Sequence, residues 1–116
     1  LQEDRAFHLL PPADLRLHVG AKDSAANWWY QGRNSARRVL EVFGRRPEGP
    51  ILDWGCGSGR TLHWLWNEPA WRAVWRGCDV DPAAVRWLNS KGFPQAVVCA
   101  PEPPLPYPDA SFAGIY

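Results

Sequence analysis

Short apolar runs and helix-like stretches alternate along the chain from residue 51 onwards. Four runs rich in apolar residues predict short β-strands, at 51–54, 73–78, 96–99 and from Ser111 onwards. Two stretches between them predict helices, at 59–66 and 81–91. Strands that alternate with helices form a parallel sheet with right-handed crossover connections. The pattern therefore predicts an α/β fold built on a parallel sheet.

The N-terminal part of the chain lacks such a pattern. Residues 1–33 show no sustained period, and two consecutive prolines interrupt any helix there. A helix is predicted to begin at Asn34 or Ser35, either of which can cap its first turn, and to end at Gly44. We therefore expect an N-terminal extension or lid over 1–33 and a folded domain over 34–116.

The end of the first predicted strand carries a glycine-rich loop, Asp53-Trp54-Gly55-Cys56-Gly57-Ser58-Gly59. Glycine has no Cβ, so the backbone of such a loop can lie directly against a ligand. A dinucleotide-binding fingerprint requires its third glycine at position 60, where this chain has Arg60. A P-loop requires Gly-Lys followed by Ser or Thr, which the loop lacks. The loop therefore favours a nucleoside-bearing cofactor other than a dinucleotide.

A second acid stands at the end of the second predicted strand. Asp79 follows Gly55 at close to the spacing of about 20 residues at which nucleotide-binding units place their ribose acid. A carboxylate there can accept hydrogen bonds from both hydroxyls of a ribose. Asp81 and Pro82 are typical of a helix N-cap and the first helical position. The alternative for Asp79 and Asp53 is that they cap a loop or a helix.

Three segments together resemble the class I S-adenosylmethionine-dependent methyltransferases, of the small-molecule type 11 and type 12 kind, over their N-terminal half. The glycine-rich loop is similar to motif I, and Gly-Cys-Asp-Val-Asp-Pro at 77–82 is similar to the second motif. Leu-Pro-Tyr-Pro-Asp-Ala-Ser-Phe at 105–112 is similar to the segment that enters their fourth strand. The resemblance implies a Rossmann-like doubly wound parallel sheet, incomplete at about four strands in the order 3-2-1-4, with helices on both faces. It also implies S-adenosyl-L-methionine as cofactor and methyl transfer to a small molecule.

The resemblance further implies which residues hold the cofactor. The glycines of the loop approach its methionine and ribose portions, Asp79 takes the ribose hydroxyls, and Asp53 orients the loop or meets the cofactor's ammonium group. The stretch 99–102 flanks the adenine. Family members often carry an acid near position 101, so Glu102 or a backbone carbonyl is expected to replace it. The predicted cofactor-binding residues are Asp53, Gly55, Cys56, Gly57, Ser58, Gly59, Asp79, Val80, Cys99, Ala100, Pro101 and Glu102.

No catalytic residue is predicted, because the family places its acceptor-binding loops on three further strands of a seven-stranded sheet. The predicted fourth strand reaches Tyr116, so we expect this chain to be a fragment or truncated product of a longer enzyme. The fourth strand is then an exposed edge, which favours self-association. The alternatives are a non-catalytic cofactor-binding module, a truncated fragment without activity, and an oxidoreductase that uses a nicotinamide cofactor, which Arg60 opposes.

The net charge and the cysteines of the chain indicate which binding partners and which cellular compartment to expect. A net charge of +1 on 116 residues gives no electrostatic reason to expect a nucleic acid or a membrane as partner. The cysteines at 56, 78 and 99 form no Cys-x-x-Cys pair, so neither a zinc site nor a redox motif is predicted. We interpret them as small apolar side chains in a reducing compartment and expect a cytoplasmic protein that holds no metal.

The eight tryptophans are predicted mainly to pack in the core. In related methyltransferases the segment before motif I often folds over the cofactor, which makes Trp29 and Tyr30 candidates for lid contacts, with plain packing as the alternative. The histidines lack the spacing of metal ligands and are predicted at the surface or in incidental positions: His8, His18 and His63.

Overall fold

The computed structural model describes residues 10–17, 25–93 and 96–116. Its helices are α1 (Ala13–Leu17), α2 (Ala25–Phe43), α3 (Leu62–Trp66) and α4 (Pro82–Ser90). Its strands are β1 (Ile51–Trp54), β2 (Trp75–Asp79), β3 (Ala96–Val98) and β4 (Gly114–Ile115). A short 3₁₀ turn at Arg72–Val74 leads into β2. The predicted second strand therefore begins two residues later than its apolar run.

The four strands form one parallel sheet in the order β3-β2-β1-β4. In the register of the sheet, Ile51 pairs with Trp75 on one side and with Gly114 on the other, and Gly77 pairs with Ala96. The predicted Rossmann-like α/β fold and its strand order are confirmed. Because all four strands are parallel, their carboxyl ends lie along one edge of the sheet, where open α/β folds bind ligands.

The two faces of the sheet are covered differently. Ile51 belongs to the larger apolar cluster, to which α2, α3 and α4 all contribute, whereas its neighbour Leu52 belongs to a smaller cluster with Cys78 and Cys99. Successive side chains of a strand point to opposite faces, so the two clusters lie on opposite sides of the sheet. In the described ranges the smaller cluster is completed by the loop before β4, through Leu105, Tyr107 and Phe112, on a face for which the family resemblance implied helices.

Helix α2 begins at Ala25, nine positions before the earlier of its two predicted caps, Asn34. The expected start was wrong because the buried face of this helix depends on a partner distant in sequence. A Cβ on Gly32 would collide with the carbonyl oxygen of Arg60, so α2 packs against the backbone of the glycine-rich loop. Position 33, the predicted boundary between extension and domain, thus lies inside α2. The helix ends as predicted, with Gly44 at φ +67°.

Helix α4 follows its sequence signals closely. The Asp81 side chain accepts a hydrogen bond from the Ala83 amide at 2.9 Å, and Pro82 occupies the first helical position. Gly92 follows the helix with φ +89°, as expected for its end. These signals act within a few residues, so they did not depend on tertiary packing.

Tryptophans form much of the core, as predicted. Trp28, Trp64 and Trp75 are fully buried, and the indole nitrogens of Trp64 and Trp75 donate to the carbonyls of Trp29 and Leu65 at 3.1 Å. No helix in the described part of the chain combines the length and the apolar character that a membrane span requires.

Candidate functional site

A cavity of about 560 Å³ opens at the carboxyl ends of β1 and β2. Its volume lies within the range of small-molecule sites, and its place in the fold is where parallel α/β sheets bind ligands. The described residues that line it come from α1, from the loop after β1, and from the junction of β2 with α4. They are Leu15, Gly55, Gly57, Ser58, Arg60, Asp79, Val80, Asp81 and Ala84.

The glycine-rich loop has a backbone conformation that explains its alternating glycines. Gly55, Gly57 and Gly59 have φ values of +83°, +55° and +82°, a region that favours glycine. The loop is fixed to β2, because the amides of Gly55 and Cys56 both donate to the carbonyl of Cys78, at 2.8 and 3.0 Å. Gly59 also faces Leu88, whose Cδ1 would lie 2.6 Å from an added Cβ. The loop can therefore present its main chain to the cavity.

Asp79 joins the two sequence motifs. One of its carboxylate oxygens accepts a hydrogen bond from the Gly57 amide at 2.7 Å, and the other accepts one from the Asp81 amide at 2.8 Å. The carboxylate therefore organises the glycine-rich loop, which was the alternative considered for it. A carboxylate has about four lone-pair sites, so two such bonds leave it able to accept hydrogen bonds from a ligand in the cavity.

Asp53 lies beneath the loop. It is 7% exposed and does not belong to the described cavity wall. Burial raises the pKa of its carboxyl to about 7; the nearby hydroxyl of Tyr116 opposes that rise, the charge of Asp79 adds to it, and the charge of Arg60 opposes it. These surroundings fit the prediction that Asp53 orients the loop better than a direct contact with a ligand.

The cysteines are buried thiols. Cys56, Cys78 and Cys99 are free, and none is more than 8% exposed. Burial raises the pKa of Cys56 well above its usual value and raises that of Cys78 to about 12. A thiol that stays protonated at neutral pH is a poor nucleophile. Their environment therefore agrees with the interpretation as small apolar side chains.

The segment predicted to flank the adenine lies beside the cavity. The amide of Cys99 donates to the carbonyl of Asp79 at 2.9 Å, which fixes the start of this segment to the end of β2. Ala100, Pro101 and Glu102 are exposed, and, with Cys99, they are outside the described wall of the cavity. Their contact with an adenine stays a prediction.

Four residues of the wall were missed at the level of sequence: Leu15, Arg60, Asp81 and Ala84. The sequence analysis used Arg60 only as evidence against a dinucleotide-binding fingerprint, and Asp81 only as a predicted helix cap. Leu15 belongs to a five-residue helix whose sequence carries no signal for a ligand. The N-terminal contact with the cavity thus comes from α1. Trp29, one of the two residues proposed for such a contact, is instead buried, with its ring 4.4 Å from that of Trp64. The other candidate for such a contact, Tyr30, is 57% exposed and outside the described wall.

His63 was expected at the surface or in an incidental position, and the surface placement was wrong. The side chain is 2% exposed and packs between the rings of Trp28 and Trp87, at 5.5 and 5.7 Å. Burial lowers its pKa to about 4. The other two histidines, His8 and His18, lie outside the described residues. Within the described ranges, no three His, Cys, Asp or Glu side chains are grouped as metal ligands would be.

The chain matches the model of a known family. The family model described as a methyltransferase domain matches residues 52–116, more than half of the chain. The matched region begins in β1 and includes the glycine-rich loop, Asp79 and the segment that enters β4. It therefore contains β2, β3 and β4 in full, all of β1 except Ile51, and all of the cavity wall except Leu15.

Proposed function

Because this chain belongs to the methyltransferase domain family, we propose that its cavity binds S-adenosyl-L-methionine for methyl transfer to a small-molecule acceptor. One observation carries the proposal. A hydrogen bond of 2.7 Å joins the Gly57 amide to the Asp79 carboxylate, so the glycine-rich loop and the acid lie side by side in the wall of one cavity. This combination suits a nucleoside, because main-chain groups approach one side of it while a carboxylate accepts hydrogen bonds from the ribose.

The residues that line the cavity fit such a cofactor. Asp79 has acceptor capacity left for the ribose hydroxyls. The Ser58 hydroxyl is buried in the wall and has no hydrogen-bond partner among the described residues. Val80 and Ala84 add apolar surface for the nucleoside. Gly55 and Gly57 leave room for the methionine portion.

The reaction asks little of these residues in acid–base terms. When bound, S-adenosyl-L-methionine supplies a methyl group on a sulfonium, and the thioether that leaves needs no proton. The task of the chain is to hold donor and acceptor in line, a proximity effect worth up to several kcal/mol. A fixed loop and a fixed carboxylate serve that task, and the protonated thiols of Cys56 and Cys78 take no part in it.

A small molecule is the acceptor class that the sequence favours. The segment 105–112 resembles that of many small-molecule members of the family, and a net charge of +1 provides no field for a nucleic acid. The proposal assigns no general base.

Isothermal titration calorimetry tests the proposal. We expect S-adenosyl-L-methionine and its demethylated product to bind with micromolar affinity. Asp79→Ala should weaken both by about tenfold or more, which corresponds to about 1.4 kcal/mol. Asp109→Ala is the matched control, because Asp109 is exposed and outside the cavity wall. Absence of saturable binding to the unchanged protein would refute the proposal, and equal affinity in Asp79→Ala would remove the ribose role from that residue. Displacement of the ligand by NADH would favour the oxidoreductase instead.

A further inference from the structure

A buried histidine lies against the end of the glycine-rich loop. His63, in the first turn of α3, is 2% exposed, and its backbone amide donates to the carbonyl of Gly59 at 2.9 Å. Its Nε2 would lie 3.5 Å from a Cβ added to Gly59, and Leu88 of α4 would lie closer still. The end of the loop that turns into α3 therefore rests on two side chains, one of which is an imidazole.

The surroundings of this imidazole are aromatic. Its ring packs against Trp28 of α2 and Trp87 of α4, with ring centroids 5.5 and 5.7 Å away. Neither nitrogen of the His63 ring has a hydrogen-bond partner among the described residues. A buried polar group without a partner lowers stability, so packing alone would favour an apolar side chain here. A charged imidazole would be far more costly than a neutral one in the same place.

The elements packed around His63 do not supply a counter-charge to its ring. They carry other titratable or charged side chains, and none of these is a hydrogen-bond partner of the imidazole. Those side chains are Arg33 in the N-terminal half of α2, Arg86 and Lys91 in α4 and just after it, and Asp53, Cys56 and Arg60 in the glycine-rich loop. Burial accordingly lowers the pKa of His63 to about 4. A proton on this ring would place an unpaired charge where α2, α3 and α4 meet.

We propose that neutral His63 is a positioning residue for the glycine-rich loop, and that its protonation releases the Gly59 turn and weakens cofactor binding in acid. This inference rests on the proposed function, since the loop lines the cavity proposed for S-adenosyl-L-methionine. The binding-competent state holds fewer protons than a state in which His63 reaches water, so affinity falls as the pH drops from 6.5 towards 4. Linkage is reciprocal, so a bound ligand must oppose protonation of His63 to the same extent.

Calorimetry at pH 7 and pH 4.5 tests the proposal, with the fold checked at both values by near-ultraviolet circular dichroism. The unchanged protein should bind S-adenosyl-L-methionine about tenfold or more weakly at pH 4.5. His63→Phe keeps an aromatic ring but takes up no proton, so its ratio of the two dissociation constants should be about fivefold smaller or less. Val74→Ala is the matched control for lost packing, because Val74 is buried in the same apolar cluster and outside the cavity wall. It should keep the ratio of the unchanged protein.

Nuclear magnetic resonance adds a measurement that needs no variant to fold. The ring protons of His63 report its titration directly. Saturation with the demethylated product of S-adenosyl-L-methionine should move the midpoint of that titration to lower pH by about one pH unit, the counterpart of a tenfold change in affinity.

The outcomes separate this inference from the proposed function. If the unchanged protein shows no saturable binding at pH 7, the proposed function fails. If it binds equally well at both pH values, or if His63→Phe keeps the same ratio, His63 does not position the loop and the proposed function stands. A titration midpoint that the ligand leaves in place overturns the inference as well. So does loss of the near-ultraviolet signal at pH 4.5, because acid then unfolds the whole chain instead of releasing one turn.

Discussion

At the level of single residues, Gly55 is needed for its backbone conformation and not for lack of space around its Cα. Its φ is +83°, yet beyond Gly55 itself and its two chain neighbours no atom of the described residues lies within 4 Å of a Cβ built there. Gly44 has the same two properties at φ +67°, at the end of α2 and outside the cavity wall. The two positions therefore form a matched pair for substitution.

We expect Gly55→Ala and Gly44→Ala each to destabilise the fold by about 1 kcal/mol, the cost of left-handed backbone for alanine. Only Gly55→Ala should also lower the affinity for S-adenosyl-L-methionine, because Gly55 lies in the loop that lines the proposed binding cavity. Urea unfolding and calorimetry measure the two effects. Equal affinities in both variants would show that the main chain at Gly55 does not contact the ligand.

The pKa of Asp53 predicts how stability depends on pH. Its folded-state value of about 7 lies above the ordinary 3.8, so the folded chain binds more protons between these limits and loses stability as the pH rises. His63 acts in the opposite sense: its folded-state value of about 4 lies below 6.5, so stability is lost as the pH falls through that window. Between pH 4 and 6.5 the two slopes largely cancel.

Asp53→Asn should reveal the pH dependence of stability that is due to His63 alone. We expect the free energy of unfolding of this variant to rise by roughly 3 kcal/mol from pH 4 to 6.5, at about 1.4 kcal/mol for each pKa unit. The unchanged protein should vary much less over that range and lose stability between pH 6.5 and 8. Urea titrations at fixed ionic strength measure both profiles, and parallel profiles would show that Asp53 titrates normally in the folded protein.

Residue-level signals were those that sequence could predict best. The positive φ of the loop glycines, the Asp81 cap and the end of α2 at Gly44 are local, so each follows from a few neighbouring residues. His63 could not be placed in the same way. Its burial between two tryptophans depends on α2 and α4, which are distant from it in sequence.

At the level of elements, α2 links the N-terminal region to the cavity. The helix depends on Gly32, where the carbonyl of Arg60 occupies the space of a Cβ. The start of α2 was predicted too late. Its buried glycine and two tryptophans form no periodic pattern in the sequence, since their burial depends on residues distant along the chain. It also missed Leu15, because the contact of α1 with the cavity arises from packing alone.

Gly32→Ala tests this contact. Alanine has a higher helix propensity than glycine by about 1 kcal/mol, so an isolated helix would gain stability. We expect the protein to lose about 1–3 kcal/mol instead, since α2 must move away from the loop. Asn34→Ala, at an exposed position of the same helix, should leave stability unchanged or raise it slightly. A gain in melting temperature for Gly32→Ala would contradict the packing described.

At the level of the whole molecule, the alternation of strands and helices predicted the parallel sheet, and the family resemblance implied its strand order. Right-handed crossovers leave few topologies, and the resemblance of three segments selected one of them. The covering of the second face could not be predicted, because the proline-rich segment before β4 packs through Leu105, Tyr107 and Phe112 without a helical pattern.

The sheet ends at β4, which is an exposed edge in the described structure. There β4 pairs with β1 alone, Ile115 is 53% exposed, and an apolar groove of about 180 Å³ separates the strand from α2. These features are compatible with the self-association predicted from the sequence, which stays a prediction.

The bond between Gly57 and Asp79 means that one side chain serves two purposes at once. The same carboxylate holds the turn and lines the cavity, so the cavity wall is complete only when β2 is in register with β1. Formation of the cavity therefore depends on the pairing of β1 with β2. A substitution that loosens β2 should therefore disturb the cavity wall together with the sheet.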